Sequence, residues 1–166
     1  MFRLSAEMPE DTYEVELLYD LCFAPGREAL SSYRLREGPP VADLCTVARD
    51  EYDVLSGAIR YWPVRVGEAP ALLLGPIAVH PVRQGEGLGA LLIETTLERA
   101  EALGWTRVLL VGDEPYYRRF GFRKVPVAFP PPTNPERVLG CGFDLDPQKV
   151  LSVLPVEGSA VPKSPS

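Results

Sequence analysis

Gln84-Gly85-Glu86-Gly87-Leu88-Gly89 lies between a nearly continuous apolar run, Ala71 to Val79, and a stretch from Leu88 to Leu103 whose apolar residues recur at helical spacing. Glycines at alternate positions leave backbone N–H groups uncovered by side chains. The start of a helix adds unpaired donors and the positive end of its dipole, so the turn suits an anion such as a pyrophosphate. The order continues with Arg107-Val-Leu-Leu-Val111, a second buried strand, which predicts a βαβ unit with a right-handed crossover. Glu94, Glu98 and Glu101 form one charged stripe on the connecting helix, its solvent face, and Gly104 stops it.

Spacing separates this turn from the nucleotide motifs. No Gly-Lys-Ser/Thr follows to hold β- and γ-phosphates, which disfavours phosphoryl transfer. The glycines at 85, 87 and 89 do not have the Gly-x-Gly-x-x-Gly spacing of dinucleotide folds, and they come after half the chain has passed. Upstream, Pro76 sits inside the apolar strand and cannot donate a ladder hydrogen bond, so a bulge or a separation from a neighbour is predicted there.

Outward from this centre, Asp43–Asp50 and Val54–Trp62 read as two extended segments joined by the turn at Glu51-Tyr52-Asp53, an antiparallel meander before the apolar strand. The first forty residues read as helical, with one run through Val15, Leu17, Leu18, Leu21 and Cys22 and a second from Arg27 to Leu35. Downstream, Pro115 suits the first turn of a short helix from Tyr116 to Phe120. Phe122–Phe129 and Val138–Asp146 read as strands separated by a proline-rich loop.

With 166 residues, 46% hydrophobic and 24% charged, the chain is expected to form one domain over residues 1–156 with a flexible tail over 157–166. A net charge of −6 gives no general attraction to nucleic acid or to anionic membrane. The segment Met1–Glu7 does not read as a leader and no stretch approaches the roughly 18 apolar residues of a membrane span, so a cytoplasmic location is expected. Cys22, Cys45 and Cys141 are odd in number, widely spaced and away from His80, the only histidine; they read as small buried apolar residues, with no metal site.

Three linked motifs carry a resemblance. Gln84, Gly87 and Gly89 meet the pattern Gln/Arg-x-x-Gly-x-Gly/Ala, Gly75-Pro-Ile-Ala-Val-His-Pro81 precedes it, and Val111-Gly-Asp-Glu-Pro-Tyr-Tyr-Arg-Arg-Phe-Gly-Phe122 follows. In this order, over about residues 72–125, they resemble the GNAT superfamily of acetyl-CoA-dependent N-acyltransferases. The resemblance implies an α/β fold with a central mixed, largely antiparallel sheet, a βαβ core and flanking helices. It also implies transfer of an acetyl or short acyl group from acetyl-CoA, as co-substrate, to a primary amine of a small molecule or peptide by direct attack.

Roles follow position by position. The resemblance implies that backbone amides of Gln84, Gly85, Glu86, Gly87, Leu88, Gly89 and Ala90 hold the CoA pyrophosphate. Ile77, Ala78 and Val79 would pair with the pantetheine arm as an added strand, and the Val79 N–H would stabilise the oxyanion. Tyr117 would give a proton to the departing thiolate. Tyr116 could instead pack against the sheet, and Asp113 reads as a helix cap.

Unlike better-understood members, this chain has no acidic residue from Leu72 to Val79 to serve as base; His80 has a suitable intrinsic pKa but equally reads as structural. The meander residues Glu51, Asp53, Arg60, Tyr61 and Trp62 belong to the region that often lines the acceptor pocket of this fold. Two other readings stand beside the enzyme: a CoA-binding or sensing domain without catalysis, and a homodimeric module using its C-terminal strands.

Overall fold

The computed structural model describes residues 1–23, 35–36 and 38–156. Its strands are β1 (Arg3–Ala6), β2 (Thr46–Arg49), β3 (Leu55–Val66), β4 (Ala69–Val79), β5 (Val108–Val111), β6 (Arg123–Lys124), β7 (Val127–Ala128), β8 (Val138–Cys141) and β9 (Leu151–Pro155). The helices are α1 (Thr12–Cys22), α2 (Leu88–Ala102) and α3 (Glu114–Tyr117). The strand order is β1-β2-β3-β4-β5-β8-β6, and β9 pairs with the distal part of β3 and with β7. Only β4–β5, the βαβ unit read from the sequence, and β7–β9 run parallel; the other pairs are antiparallel.

Two strands escaped the sequence reading. Residues 3–6, placed in a helical region, pair with β2, and residues 151–155 close against β3 through Val66↔Val153. The Phe122–Phe129 segment is broken into β6 and β7, which join different neighbours, and β8 ends at Cys141 instead of Asp146. The predicted helical run from Arg27 to Leu35, apart from Leu35, and the tail 157–166 lie outside the described residues.

The proline in β4 has the predicted effect. Ile59 faces Ile77, yet Tyr61 faces Leu74, so β4 carries one extra residue around Gly75 and Pro76. Side chains alternate with a period of two, and one added residue turns the remainder of the strand over. Leu72 and Leu74 therefore share a face with Ile77 and Val79, while Ala71 and Leu73 lie on the other. The Pro76 carbonyl accepts a hydrogen bond from the buried Tyr19 hydroxyl of α1 at 3.1 Å.

Each face has its own cover. α2 lays Leu88, Leu92, Ile93, Thr96 and Ala100 on the face holding Ile59, Tyr61, Leu72 and Leu74. The Thr96 hydroxyl lies 2.7 Å from that of Tyr61 and donates or accepts in a fully buried pair. On the opposite face α1 packs Val15, Leu18 and Tyr19 over Val47, Ala58 and Ala78. The remainder of that face is filled by Val64, Val66, Leu73, Leu109, Val127, Val138 and Val153, which ties the C-terminal strands to the core.

Neighbouring leucines of α2 measure this packing. Leu92 is fully buried and Leu91 is 41% exposed. Leu92→Ala is expected to cost about 3 kcal/mol, and Leu91→Ala less than about 1 kcal/mol. Chemical denaturation of the two variants checks the difference; equal losses would mean that α2 docks in another orientation.

Candidate active site

The turn before α2 is built for exposed amides. Pro81–Arg83 forms a 3₁₀ turn, Gly85 and Gly87 follow with φ of +87° and +82°, and α2 starts at Leu88. An L side chain is strained at both glycines, although a Cβ there would meet nothing within 4 Å. The open space lies where the first amides of α2 emerge. Gly89 is already helical and owes nothing to positive φ; its Cα faces the Tyr116 hydroxyl and Val79. Leu88 is 1% exposed and its side chain belongs to the core, so only its backbone borders the turn.

A cleft of about 560 Å³ opens above this turn, lined by Gln84, Gly85, Gly87, Gly89, Ala90 and Val79, with Arg83, Tyr116 and Arg119 at its margin. Arg119 stacks over the Tyr116 ring at 5.4 Å. Two cations beside open amides favour a polyanion. Arg83 is itself anchored: it donates to Asp50 Oδ2 at 2.8 Å, and Asp50, 5% exposed, accepts from the Tyr52 and Val54 amides through Oδ1. Asp50 is held below the ordinary carboxylate range, first by the Arg83 hydrogen bond and then by the Val54 amide. The other Arg83 nitrogen lies 3.5 Å from Glu86, the exposed residue between the glycines.

Beyond the turn, β4 has one free edge. It pairs with β5 only at Leu72↔Val108 and Leu73↔Leu109, after which the strands part. The His80 N–H donates to Ser56 across to β3 at 2.8 Å. Backbone groups alternate along a strand, so those of Val79 and Ile77 point to the other edge, where β5 has left. The Val79 carbonyl accepts instead from Gln84 Nε2 at 3.3 Å and Cys22 Sγ at 3.4 Å. Ala78 stands apart from the two: it is matched with Ala58 of β3, and its side chain is buried under α1.

The gap between the strands is a cavity of about 210 Å³ lined by Leu74, Gly75, Pro76 and Ile77 from β4, Leu110 and Val111 from β5, and Tyr117. Phe23 and Arg36 line it from the N-terminal part of the chain. The Tyr117 ring is seated by Gly112, where a Cβ would come within 2.5 Å of the ring, and by edge contacts to Tyr116 and Phe122. Its hydroxyl makes no hydrogen bond among the described residues. Burial raises the Tyr117 pKa, with the neighbouring Tyr116 adding to the shift.

Other candidates lie elsewhere or serve the fold. Tyr61 is core, Asp53 pairs with Arg3 at 2.6 Å on the surface, and Arg60 binds Glu7 and Glu16 in a separate cleft with Trp62. His80 accepts from the Val82 amide at 3.2 Å, a cap of the 3₁₀ turn. Asp113 caps α3 through its carbonyl, which accepts from Tyr116 and Tyr117, and its side chain makes no cap. Cys45 is buried, whereas Cys22 and Cys141 are partly exposed, contrary to the sequence reading. Among the described residues no three acidic, histidine or cysteine side chains are grouped to hold a metal, and no helix is long and apolar enough to cross a membrane. Arg83, Arg119 and Arg36 were missed because nothing in their local sequence separates them from surface arginines.

Residues 42–124 match the family described as Acetyltransferase (GNAT) domain. The chain is 30% identical over 121 residues, 72% of each chain, to the uncharacterised N-acetyltransferase YhbS of Escherichia coli strain K12. Its fold is similar to that of a GNAT family acetyltransferase from Brucella melitensis in complex with acetyl-CoA, with a TM-score of 0.68, 27% identity and coverage of 96% and 97% of the two chains. It is likewise similar to the fold of YhbS in complex with CoA, with a TM-score of 0.73, 22% identity and coverage of 91% and 88%. The glycine turn, the parted strands and the tyrosine helix thus sit within a chain that belongs to the GNAT family of acetyltransferases.

Proposed function

We propose that this acetyltransferase moves an acetyl or related short acyl group from acetyl-CoA to the primary amine of a small acceptor, by direct attack and without a covalent acyl-enzyme. The observation that carries this reading is the free Tyr117 hydroxyl at a cavity that opens where β4 and β5 part, beside the turn of exposed amides. The turn at Gln84–Ala90, with Arg83 and Arg119 at its margin, would hold the pyrophosphate. The outward backbone of Ile77 and Val79 would receive the extended arm as an added strand. When bound, acetyl-CoA supplies an acyl group activated as a thioester.

In the reaction the amine nitrogen bonds to the acyl carbon and the carbon–sulfur bond breaks. The Val79 N–H faces the open edge, where it can donate to the oxygen that gains charge. Tyr117 gives its proton to the departing sulfur and regains one from solvent. The proton lost by the amine passes to water, since no carboxylate lines this cavity among the described residues.

Three variants test these roles. Tyr117→Phe is expected to lower kcat about 100-fold with the acetyl-CoA Kd unchanged; thiol release at an unaltered rate would remove Tyr117 from the chemistry. Because burial raises its pKa, Tyr117 stays protonated through the ordinary tyrosine range near 10, so the acid-dependent fall in rate should begin only above it. Gly87→Glu places a carboxylate among the amides, and calorimetry should record loss of acetyl-CoA binding by more than about 100-fold. Asp50→Asn should raise the acetyl-CoA Kd about tenfold through Arg83, and an unchanged Kd would show that the turn holds its shape without this anchor.

A further inference from the structure

Two arginines line the cleft above the glycine turn, Arg83 from the 3₁₀ turn that follows β4 and Arg119 from the short turn that follows α3. Their charge surroundings differ. Three carboxylates surround Arg83: Asp50 at 2.8 Å, Glu86 at 3.5 Å and Glu51 at 3.7 Å. Against one guanidinium they leave that margin of the cleft net negative. Arg119 has no carboxylate within ion-pair distance and makes no hydrogen bond among the described residues; its guanidinium rests over the rings of Tyr116, at 5.4 Å, and Phe120, at 5.0 Å. The nearby Glu114 carboxylate lies instead 3.7 Å from Arg118. Contact with aromatic faces restrains an arginine and leaves its N–H donors to a ligand.

Tyr116 links Arg119 to the amides. Its hydroxyl faces Gly89 in the first turn of α2, and its ring supports the guanidinium. The start of α2 has no side-chain cap, so the two phosphates of a pyrophosphate can be met by backbone donors alone. The cleft, about 560 Å³, falls in the range that holds a drug-sized ligand, which leaves room beside the pyrophosphate for the nucleotide end of the donor. CoA carries a third phosphate there, a monoester on the ribose with a charge of about −1.5 to −2 near neutral pH. In a chain of net charge −6, that group is repelled from the carboxylates around Arg83 and drawn to Arg119.

From this we infer that Arg119 binds the ribose phosphate of CoA, so that the nucleotide end of the donor lies against Tyr116 and Arg119 and turns away from Arg83. The inference rests on the proposed acetyl-CoA reading and adds to it the phosphate that Arg119 recognises. Arg119 is thereby a specificity-determining residue, which separates CoA thioesters from those of dephospho-CoA or of a bare phosphopantetheine arm. It acts on the donor KM and leaves kcat, because the ribose phosphate is remote from the thioester. Arg83, anchored by Asp50, shapes the turn and serves every carrier alike.

The test compares CoA with dephospho-CoA, which lacks only this phosphate. Calorimetry measures the binding of each to the wild type, Arg119→Gln, Arg119→Lys and Arg83→Gln, and thiol release is followed with the acetyl thioester of each across a set of amines. The wild type should bind CoA about tenfold more tightly, the lower end for hydrogen bonds to a charged group because Arg119 is exposed. Arg119→Gln should weaken CoA to the level of dephospho-CoA while dephospho-CoA stays within about twofold of its wild-type Kd. Arg119→Lys should keep part of the preference, and Arg83→Gln should weaken both carriers and keep their ratio. Equal wild-type binding of the two carriers, or an equal loss for both in Arg119→Gln, would overturn the Arg119 assignment and leave the acetyl-CoA reading intact. A preference lost in Arg83→Gln and retained in Arg119→Gln would put the nucleotide end at the other margin and overturn the assignment as well. Arg119-dependent discrimination without turnover of either thioester keeps the assignment and overturns the transferase reading. Absence of binding by both carriers overturns both.

Discussion

A backbone strand in the middle of a sheet has donors and acceptors on both edges, and each buried group left without a partner is costly. β4 meets that constraint on its β3 side from Ala69 to Val79, apart from the bulge at Gly75 and Pro76, and on its β5 side for two residues only. The extra residue at Gly75 and Pro76 and the departure of β5 occur at the same level of the sheet. The parts to which the proposed function gives roles are arranged around that edge. The glycine turn lies at its end, Tyr117 faces it, and α1 holds its bulge through the Tyr19 hydroxyl.

The two sides of the gap are built from different materials. On the α2 side the parts are regular and tightly seated, with Gly112 letting the Tyr117 ring lie against the backbone and Asp50 fixing Arg83 below the turn. Under the proposed function, donor recognition would depend on backbone positions that a sheet and a helix start define accurately. On the other side the cavity is bordered by single side chains, Phe23 and Arg36, both from the chain that follows α1. A family can keep the first arrangement and vary the second, which is why belonging to it leaves the acceptor open.

This division also sets what could be read from the sequence. Proline within an apolar strand, alternating glycines and a helix of sharp apolar periodicity are local signals, and they gave the βαβ unit, the bulge and the turn. β1 and β9 carry no such signal: Arg3–Ala6 is short, and Leu151–Pro155 becomes a strand because β3 offers it an edge. Tyr117 could be named from its motif, whereas the separation of Tyr116 to the turn and Tyr117 to the cavity depended on where α3 sits. Arg83 takes its place at the turn from Asp50, more than thirty residues away. Ala78 shows the limit of the motif in the other direction, because strand alternation turns it toward β3 and leaves Val79 and Ile77 at the edge.

The Val79 carbonyl is shared by two donors of different origin, Gln84 from the turn and Cys22 from the last residue of α1. One oxygen thus connects the margin of the cleft above the glycine turn to α1, whose end leads to Phe23 at the cavity between β4 and β5. A ligand arm that claimed this oxygen as its own acceptor would release both side chains together.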